Sequence, residues 1–321
     1  MKRINHWFLK LLRKVFNILS PEYSFFGRNW KMFSSKDYSN KLIYEQLLDS
    51  NPCMIARFGA NEINCLTNYM GVKRYVPISV KKYIKNQAPE WWWNRSVLDK
   101  MSNNAGFFPL NIKNIERFSQ LMLEDLHQVD ILASWLKQES FFDKQLSGAK
   151  KIVLEDMEPF FSSNPWTRAL KGKKVLVVHP FSETIEKQYK KRKLLFENEL
   201  LPDFELKTIK AVQSIAGEKT PFADWFEALE WMKQQIDATD YDICIIGAGA
   251  YGLPLAAHVK RSGKKAIHLA GVTQMLFGIK GKRWETYIVW PYTNLYNEHW
   301  VRPDENEKPQ NAKAVEGACY W

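Results

Sequence analysis

Residues 241–263 read YDICIIGAGAYGLPLAAHVKRSG, and this stretch decides the fold. Residues 241–246 form an apolar run bounded by a glycine turn, which reads as a buried strand. Gly247, Gly249 and Gly252 follow at G-x-G-x-x-G spacing. Glycines there let the backbone turn sharply and come close to a neighbour or a ligand. Pro254 suits the first turn of a helix, where no N–H is needed, so a helix is predicted over 253–262. Residues 265–269 then read as the next strand. A strand, a glycine turn, a helix and a strand make the repeating unit of a parallel sheet.

The turn itself has two readings. Free N–H groups and the partial positive charge at a helix N-terminus suit a phosphate. Tight strand–helix packing with no ligand is the other reading. A dinucleotide site places an acid at the end of the following strand. Here that strand ends His268-Leu269-Ala270-Gly271, and the unit lies late in the chain, so a nicotinamide or flavin oxidoreductase is disfavoured.

The pattern extends to both sides. Strands are predicted at 174–179 and 205–209 and an amphipathic helix at 222–237. A charged helix is expected over 183–198, with Ser182 as its cap. In the N-terminal half, helices are expected at 37–50, 61–69, 81–101 and 111–126, the third carrying Trp91, Trp92 and Trp93 as acceptor wall or core. Residues 53–59 read as a strand entering a glycine turn, and 151–154 as a short strand. Residues 131–136 read as a short strand or a helix start. The sum is an α/β protein with a Rossmann-like, mostly parallel sheet and helices on both faces. Residues 21–300 form one domain, flanked by an N-terminal helix at 1–20 and a polar tail at 301–321 that wraps the surface.

Bulk properties bound the function. Of the 321 residues 45% are apolar, which excludes wholesale disorder. Lysine plus arginine is 46 against 35 acids, a net charge of +11, which favours anionic partners. No nucleic-acid motif accompanies the charge. Cys53, Cys65, Cys244 and Cys319 form no C-x-x-C pair and no zinc spacing, a pattern suited to a reducing cytoplasm. Ile4, Trp7, Phe8, Leu11, Leu12, Val15, Phe16 and Leu19 recur at helical spacing, with Lys2, Arg3, Lys10, Arg13 and Lys14 around them. That is a basic amphipathic helix, either lying on an anionic membrane surface or docked on the protein body or a second subunit. The expected location is cytoplasmic, peripheral on the inner face of the plasma membrane.

A second constellation is Arg57-Phe58-Gly59-Ala60-Asn61-Glu62, an arginine at a strand end, a glycine turn and a glutamate in the first helical turn. Arginine clamps phosphate bidentately, and glutamate serves as a base, a metal ligand or an anchor for a sugar hydroxyl. A plain surface Arg–Glu pair is the alternative. This element is similar to the R-x-G-D-G-E element of GT-D-type glycosyltransferases, bacterial enzymes of surface-glycan assembly with a Rossmann-like domain. The resemblance extends to the late strand–turn–helix–strand of residues 241–271. Residues 271–284 resemble sequences encoded in bacterial capsule and polysaccharide clusters. It implies a hexosyltransferase-like enzyme that takes a nucleotide-sugar donor and a lipid-linked or glycan acceptor, with a divalent cation, Mn or Mg, at the donor. The family's aspartate is Ala60 here and its second glycine is Asn61, so only Arg57, Gly59 and Glu62 carry over. Either lysines and arginines take over the cation's role, or another carboxylate such as Asp156 does, or activity has been lost, and no residue is assigned to a metal. A non-catalytic nucleotide-binding scaffold or regulator of polysaccharide assembly is the alternative function.

A third constellation places three cations, Lys280, Lys282 and Arg283, among Gly271, Gly278 and Gly281, just after a strand. It reads as a diphosphate site or as a solvated basic loop. His179 at a strand end invites a base or donor-binding role, with a structural histidine as the alternative. Glu155, Asp156 and Glu158 form a further carboxylate cluster. The expected donor site is therefore Arg57, Phe58 and Gly59 with Gly247, Gly249, Tyr251 and Gly252 of the turn, and Lys280, Lys282 and Arg283 on the phosphates. Glu62 is the leading catalytic carboxylate, ahead of Asp156, and His179 is the third catalytic position.

Overall fold

The computed structural model describes residues 6–20, 34–286 and 291–321. Seven parallel strands form one sheet in the order β3-β2-β1-β7-β6-β4-β5. They are β1 Cys53–Ala56, β2 Ile131–Ser134, β3 Lys150–Val153, β4 Lys174–His179, β5 Glu205–Lys210, β6 Ile243–Ile246 and β7 Lys265–His268. The chain builds outward from β1 to β3, crosses to β4 and β5, and returns through β6 to insert β7 at the centre. The crevice at the carboxyl ends of β1, β7 and β6 lies at that reversal, where open parallel sheets take ligands.

Successive side chains of a strand point to opposite faces, so a strand buried on both faces feeds two cores. Met54 and Ala56 of β1, Cys244 and Ile246 of β6, and Leu176 and Val178 of β4 enter one core. Cys53, Ile55, Ile243, Ile245, Val175 and Val177 enter the other. Fully burying each such isoleucine or valine contributes about 1.5–3 kcal/mol. Helices α3 (Ala60–Val72), α5 (Arg95–Asn103), α6 (Ile112–Asp125), α9 (Trp225–Asp237) and α10 (Gly252–Arg261) cover the first core. Helices α2 (Lys36–Leu48), α7 (Ser182–Tyr189) and α11 (Val272–Leu276) cover the second. The α/β expectation, with a parallel sheet and helices on both faces, is what the structure has.

Several expected elements differ. The helix expected over 81–101 is two helices, α4 (Val80–Ile84) and α5, with the three tryptophans between them. Asn86 adopts a positive φ of 56°, which ends α4, and Pro89 follows before the chain can resume a helix. Trp91 and Trp92 pack edge-on against each other and against Tyr83, and the Trp93 ring lies 6.5 Å from that of Tyr69, all as part of the body. The helix expected over 183–198 is α7 and the short α8 (Arg192–Leu195). Ser182 is its first residue and not its cap. The free N–H groups of Glu183 and Thr184 instead donate to the Glu307 carboxylate of the tail. Helix α9 starts at Trp225, where Asp224 accepts from the N–H groups of Phe226 and Glu227.

The tail does more than wrap the surface. Val301 bridges Ile279, and Glu307, Val315 and Cys319 are buried. The N-terminal helix is α1 (His6–Leu19), and its expected positions 2–4 lie outside the described residues. Among the described residues, no helix is long and apolar enough to cross a membrane.

Candidate functional site

A cavity of about 460 Å³ opens along the carboxyl edge of the sheet. Segments following all seven strands line it, and the end of the tail closes one side. Its size suits a small organic ligand.

The element after β1 supplies Arg57 and Glu62. Arg57 is half-buried, and its Nε and Nη2 both donate to the carbonyl of Phe58 at 3.2 Å. Its guanidinium lies 5.0 Å from the centroid of Trp135, whose indole N–H donates to the same carbonyl at 3.0 Å. Glu139 in turn accepts from the backbone N–H of Trp135 at 3.0 Å and fixes the loop after β2. Among the described residues no carboxylate lies within ion-pair distance of Arg57. Burial lowers its pKa, and Arg283 nearby adds to that, while Tyr320, Glu158 and Glu62 act in the opposite sense. An arginine keeps its charge regardless, so the cleft holds a partly desolvated cation that suits an anion.

Gly59 is the N-cap of α3 and has no side chain to offer. Glu62 turns back toward it: a Cβ on Gly59 would stand 1.9 Å from Glu62 Oε2. Burial raises the Glu62 pKa, against the lowering effect of its own backbone N–H and of Arg57. The same carboxylate therefore caps its helix and faces the cavity. Phe58 packs in the core at 0% exposure, 6.0 Å from the Phe142 ring, and contributes only its carbonyl.

The glycine turn divides its labour. A Cβ on Gly247 would meet the Ala270 carbonyl at 2.6 Å and the His179 ring at 2.6 Å. One on Gly252 would fall 2.0 Å from the His268 ring. Both are packing glycines, which let the ends of β4, β6 and β7 crowd together. Gly249 has φ +52°, and a Cβ there would meet the Ala105 carbonyl only at an ordinary contact distance of 3.8 Å. Tyr251 stacks on Trp225 with centroids 4.8 Å apart, and its hydroxyl lies 3.3 Å from Ser214 Oγ. Gly247, Gly249 and Tyr251 line the cavity and Gly252 backs it.

Two histidines line the cavity. His179 Nδ1 accepts from the N–H of Phe181 at 3.0 Å, which leaves the proton on Nε2. His268 Nδ1 lies 3.4 Å from the Ile246 carbonyl and so carries the proton on that side. Burial pushes both pKa values down to about 3, helped for His268 by Arg57. Both imidazoles are neutral at physiological pH. His179 offers a hydrogen-bond donor, not a base, and His268 offers an acceptor.

The loop after β3 settles the carboxylate cluster differently from expectation. Asp156 points away from the cavity and accepts from Ser34 and Ser39, the latter at 3.1 Å. Its neighbours Glu155 and Glu158 line the cavity instead. Glu158 accepts from the Tyr292 hydroxyl at 2.5 Å. Burial raises its pKa to about 7, and Glu155 adds to this, while Tyr292, Lys36 and Arg57 oppose it. A short 3₁₀ turn, Leu154–Met157, decides which carboxylate faces inward, and no sequence period reports such a turn.

Of the three cations after β7, only Arg283 reaches the cavity. Lys280 Nζ lies 5.5 Å from the Tyr296 ring, and Lys282 is exposed on the short α12 (Lys282–Glu285). The tail occupies Arg283: it pairs with Glu316 and donates to Tyr320 Oη at 3.0 Å. Burial opposes the charge of Arg283, but Tyr320, Cys319 and Glu316 outweigh it and raise its pKa. Tyr320 is seated by Gly271, where a Cβ would stand 2.8 Å from its ring. Gln274 Nε2 donates to the Tyr320 carbonyl at 3.1 Å. Gln274 Oε1 and Trp321 Nε1, both on cavity-lining residues, are buried without a hydrogen-bond partner. Buried polar atoms are ordinarily paired, so an unmatched acceptor and donor here suit a polar ligand. Sequence reasoning missed Trp135, His268, Gln274 and the tail residues as cleft components, and it named Glu158 only within a carboxylate cluster led by Asp156.

A divalent cation held by the protein does not fit this donor set. Among the described residues no three His, Cys, Asp or Glu side chains converge as a metal site. Ala60 offers no oxygen where the resembled element has its aspartate, and Glu62 is turned onto its own helix end.

No family model matches the chain, and no curated protein matches it significantly. The chain is similar to two solved structures of the highly conserved domain of unknown function 1792, one of them selenomethionine-substituted. That domain is described as having a distinct glycosyltransferase fold. Each shares 12% identity with this chain, over 85% of this chain and 96% of that one, with a TM-score of 0.40. A likeness of that degree assigns no role to any residue here.

Proposed function

We propose that the protein is a glycosyltransferase that takes a nucleotide-sugar donor and acts in bacterial surface-polysaccharide synthesis, on a lipid-linked or glycan acceptor. The observation that carries this reading is Arg57, a half-buried cation without an ionic partner among the described residues. It shares one cavity with two carboxylates whose pKa values burial raises. A nucleotide sugar brings anionic phosphates for Arg57, a base for the aromatic walls of Trp135, Trp284 and Tyr320, and sugar hydroxyls for carboxylates and neutral imidazoles.

Glu158 is the general base in this reading. With a pKa of about 7 it is poised between its two forms near neutrality, where proton transfer is most effective. It takes the proton of the acceptor hydroxyl as that oxygen bonds to the anomeric carbon. The bond from that carbon to the diphosphate breaks, and the nucleoside diphosphate leaves with the electron pair. Arg57, the N–H of His179 and the open backbone at Gly249 meet the charge that develops there. No protein-held metal enters this scheme.

The test is a thermal-shift screen against nucleoside diphosphates and nucleotide sugars, with and without manganese. The expected result is stabilisation by at least one nucleotide sugar in the wild type, independent of manganese and lost in Arg57→Ala. Absence of any nucleotide response, or strict dependence on manganese, overturns the reading. The grip of Glu316 and Tyr320 on Arg283 favours one second reading, a scaffold that binds nucleotide without turnover. Binding without release of nucleoside diphosphate in the presence of acceptor identifies that case.

A further inference from the structure

Helix α1 is turned with its apolar side outward. Leu9 and Arg13 are the residues it buries. Arg13 Nε donates to Asn86 Oδ1 at 2.6 Å, its guanidinium lies 4.6 Å from the Tyr83 ring, and it pairs with Glu90 at 3.7 Å. His6 stacks on Trp92 at 4.1 Å. Arg13, Leu9, the His6 stack and a hydrogen bond from Asn86 to Asn17 are among the contacts that hold the helix to the body. Phe8, Leu11, Val15, Ile18 and Leu19 stay exposed, Ile18 at 71% and Leu19 at 76%. At 3.6 residues per turn these five fall within about 100° of the circumference, on the side away from Leu9 and Arg13. A helix that served only the body would bury that stripe.

The surroundings of the stripe are basic. Lys14 is exposed beside the stripe, with Lys10 exposed one turn earlier and further round on the same side. Lys81 and Lys82 are exposed on α4, the short helix that packs against α1, and Lys85 is exposed at its C-cap. Two copies of the chain meeting through this stripe would oppose lysine to lysine, and each chain carries a net charge of +11. An apolar ridge edged by lysines matches an anionic lipid surface, with the ridge in the acyl boundary and the lysines at the headgroups.

We infer that α1 is a docking ridge for an anionic lipid bilayer, built on the body so that the protein sits at the membrane surface without crossing it. The full chain is tested by co-sedimentation with vesicles of phosphatidylcholine alone and of phosphatidylcholine with phosphatidylglycerol. It binds the mixed vesicles, and added salt weakens the binding. The Leu11→Ser/Ile18→Ser variant binds at least about tenfold more weakly, as expected for a ridge that inserts, with unchanged melting and nucleotide affinity. The Lys10→Glu/Lys14→Glu variant loses the preference for phosphatidylglycerol. Absence of vesicle binding overturns the inference, as does unchanged binding in the Leu11/Ile18 variant. A wild-type dimer in light scattering that the serine variant abolishes, without vesicle binding, assigns the ridge to a second copy and overturns it equally.

Discussion

Replacing Glu158 by glutamine probes the cleft through its electrostatics alone. Glutamine keeps the shape and can still accept the Tyr292 hydroxyl, which now meets a carboxylate oxygen at 2.5 Å. What it removes is a buried ionisable group whose pKa stands at about 7, raised by burial from the ordinary glutamate value of 4.5. A carboxyl pKa raised on folding contributes stability that is fully present below the unfolded value and is lost as pH rises through the folded one. The window is therefore roughly pH 4.5 to 7. At about 1.4 kcal/mol per unit of pKa, the wild type loses ~3.5 kcal/mol relative to the glutamine variant across it. For a chain of 321 residues, an unfolding entropy of about 2.1 cal/mol/K per residue converts this to ~5 °C in melting temperature. Differential scanning fluorimetry of both proteins from pH 4.5 to 8.5 reads it directly. The wild-type melting temperature should fall by that amount relative to the variant, with most of the change complete by pH 8. A difference that stays constant with pH refutes the claim that burial holds this proton.

Three further perturbations follow from the cleft. Arg57→Ala should weaken nucleoside diphosphate binding by about 30- to 150-fold, the loss of a 2–3 kcal/mol charge-assisted pair, with melting nearly unchanged; calorimetric titration measures it. Gly59→Ala has no backbone obstacle at φ −79° but must displace the Glu62 carboxylate, so it should lower turnover while far-UV circular dichroism stays that of the wild type. Glu316→Gln removes the ion pair on Arg283 and should tighten nucleoside diphosphate binding several-fold, read in the same titration.

The fold was largely legible because its signals are local. The apolar run of residues 241–246 and the glycine spacing after it are dictated by burial on two faces and by close backbone approach, and both appear in the structure. The two expected helices that broke did so for local reasons too: Asn86 in the left-handed region, and a chain turn after Tyr189. The cleft was legible only in part. Arg57, Glu62, His179 and the turn glycines announced themselves by type and by position at strand ends. Glu158 and Asp156 are two residues apart in one acidic run, and a 3₁₀ turn fixes their opposite directions. His268 becomes a cleft residue because Gly252 leaves room for its ring. The hold of Glu316 and Tyr320 on Arg283 spans more than thirty positions along the chain. It is a tertiary contact with no local signature.

The most direct measurement is nucleoside diphosphate release from a panel of nucleotide sugars, with a lipid-linked or glycan acceptor, by the wild type and by Glu158→Gln. The account predicts release from at least one donor, rising with pH through about 7 as Glu158 loses its proton, insensitive to chelator, and reduced by about two orders of magnitude or more in the glutamine variant. Release that is as fast in Glu158→Gln as in the wild type, or that stops on chelation, contradicts it.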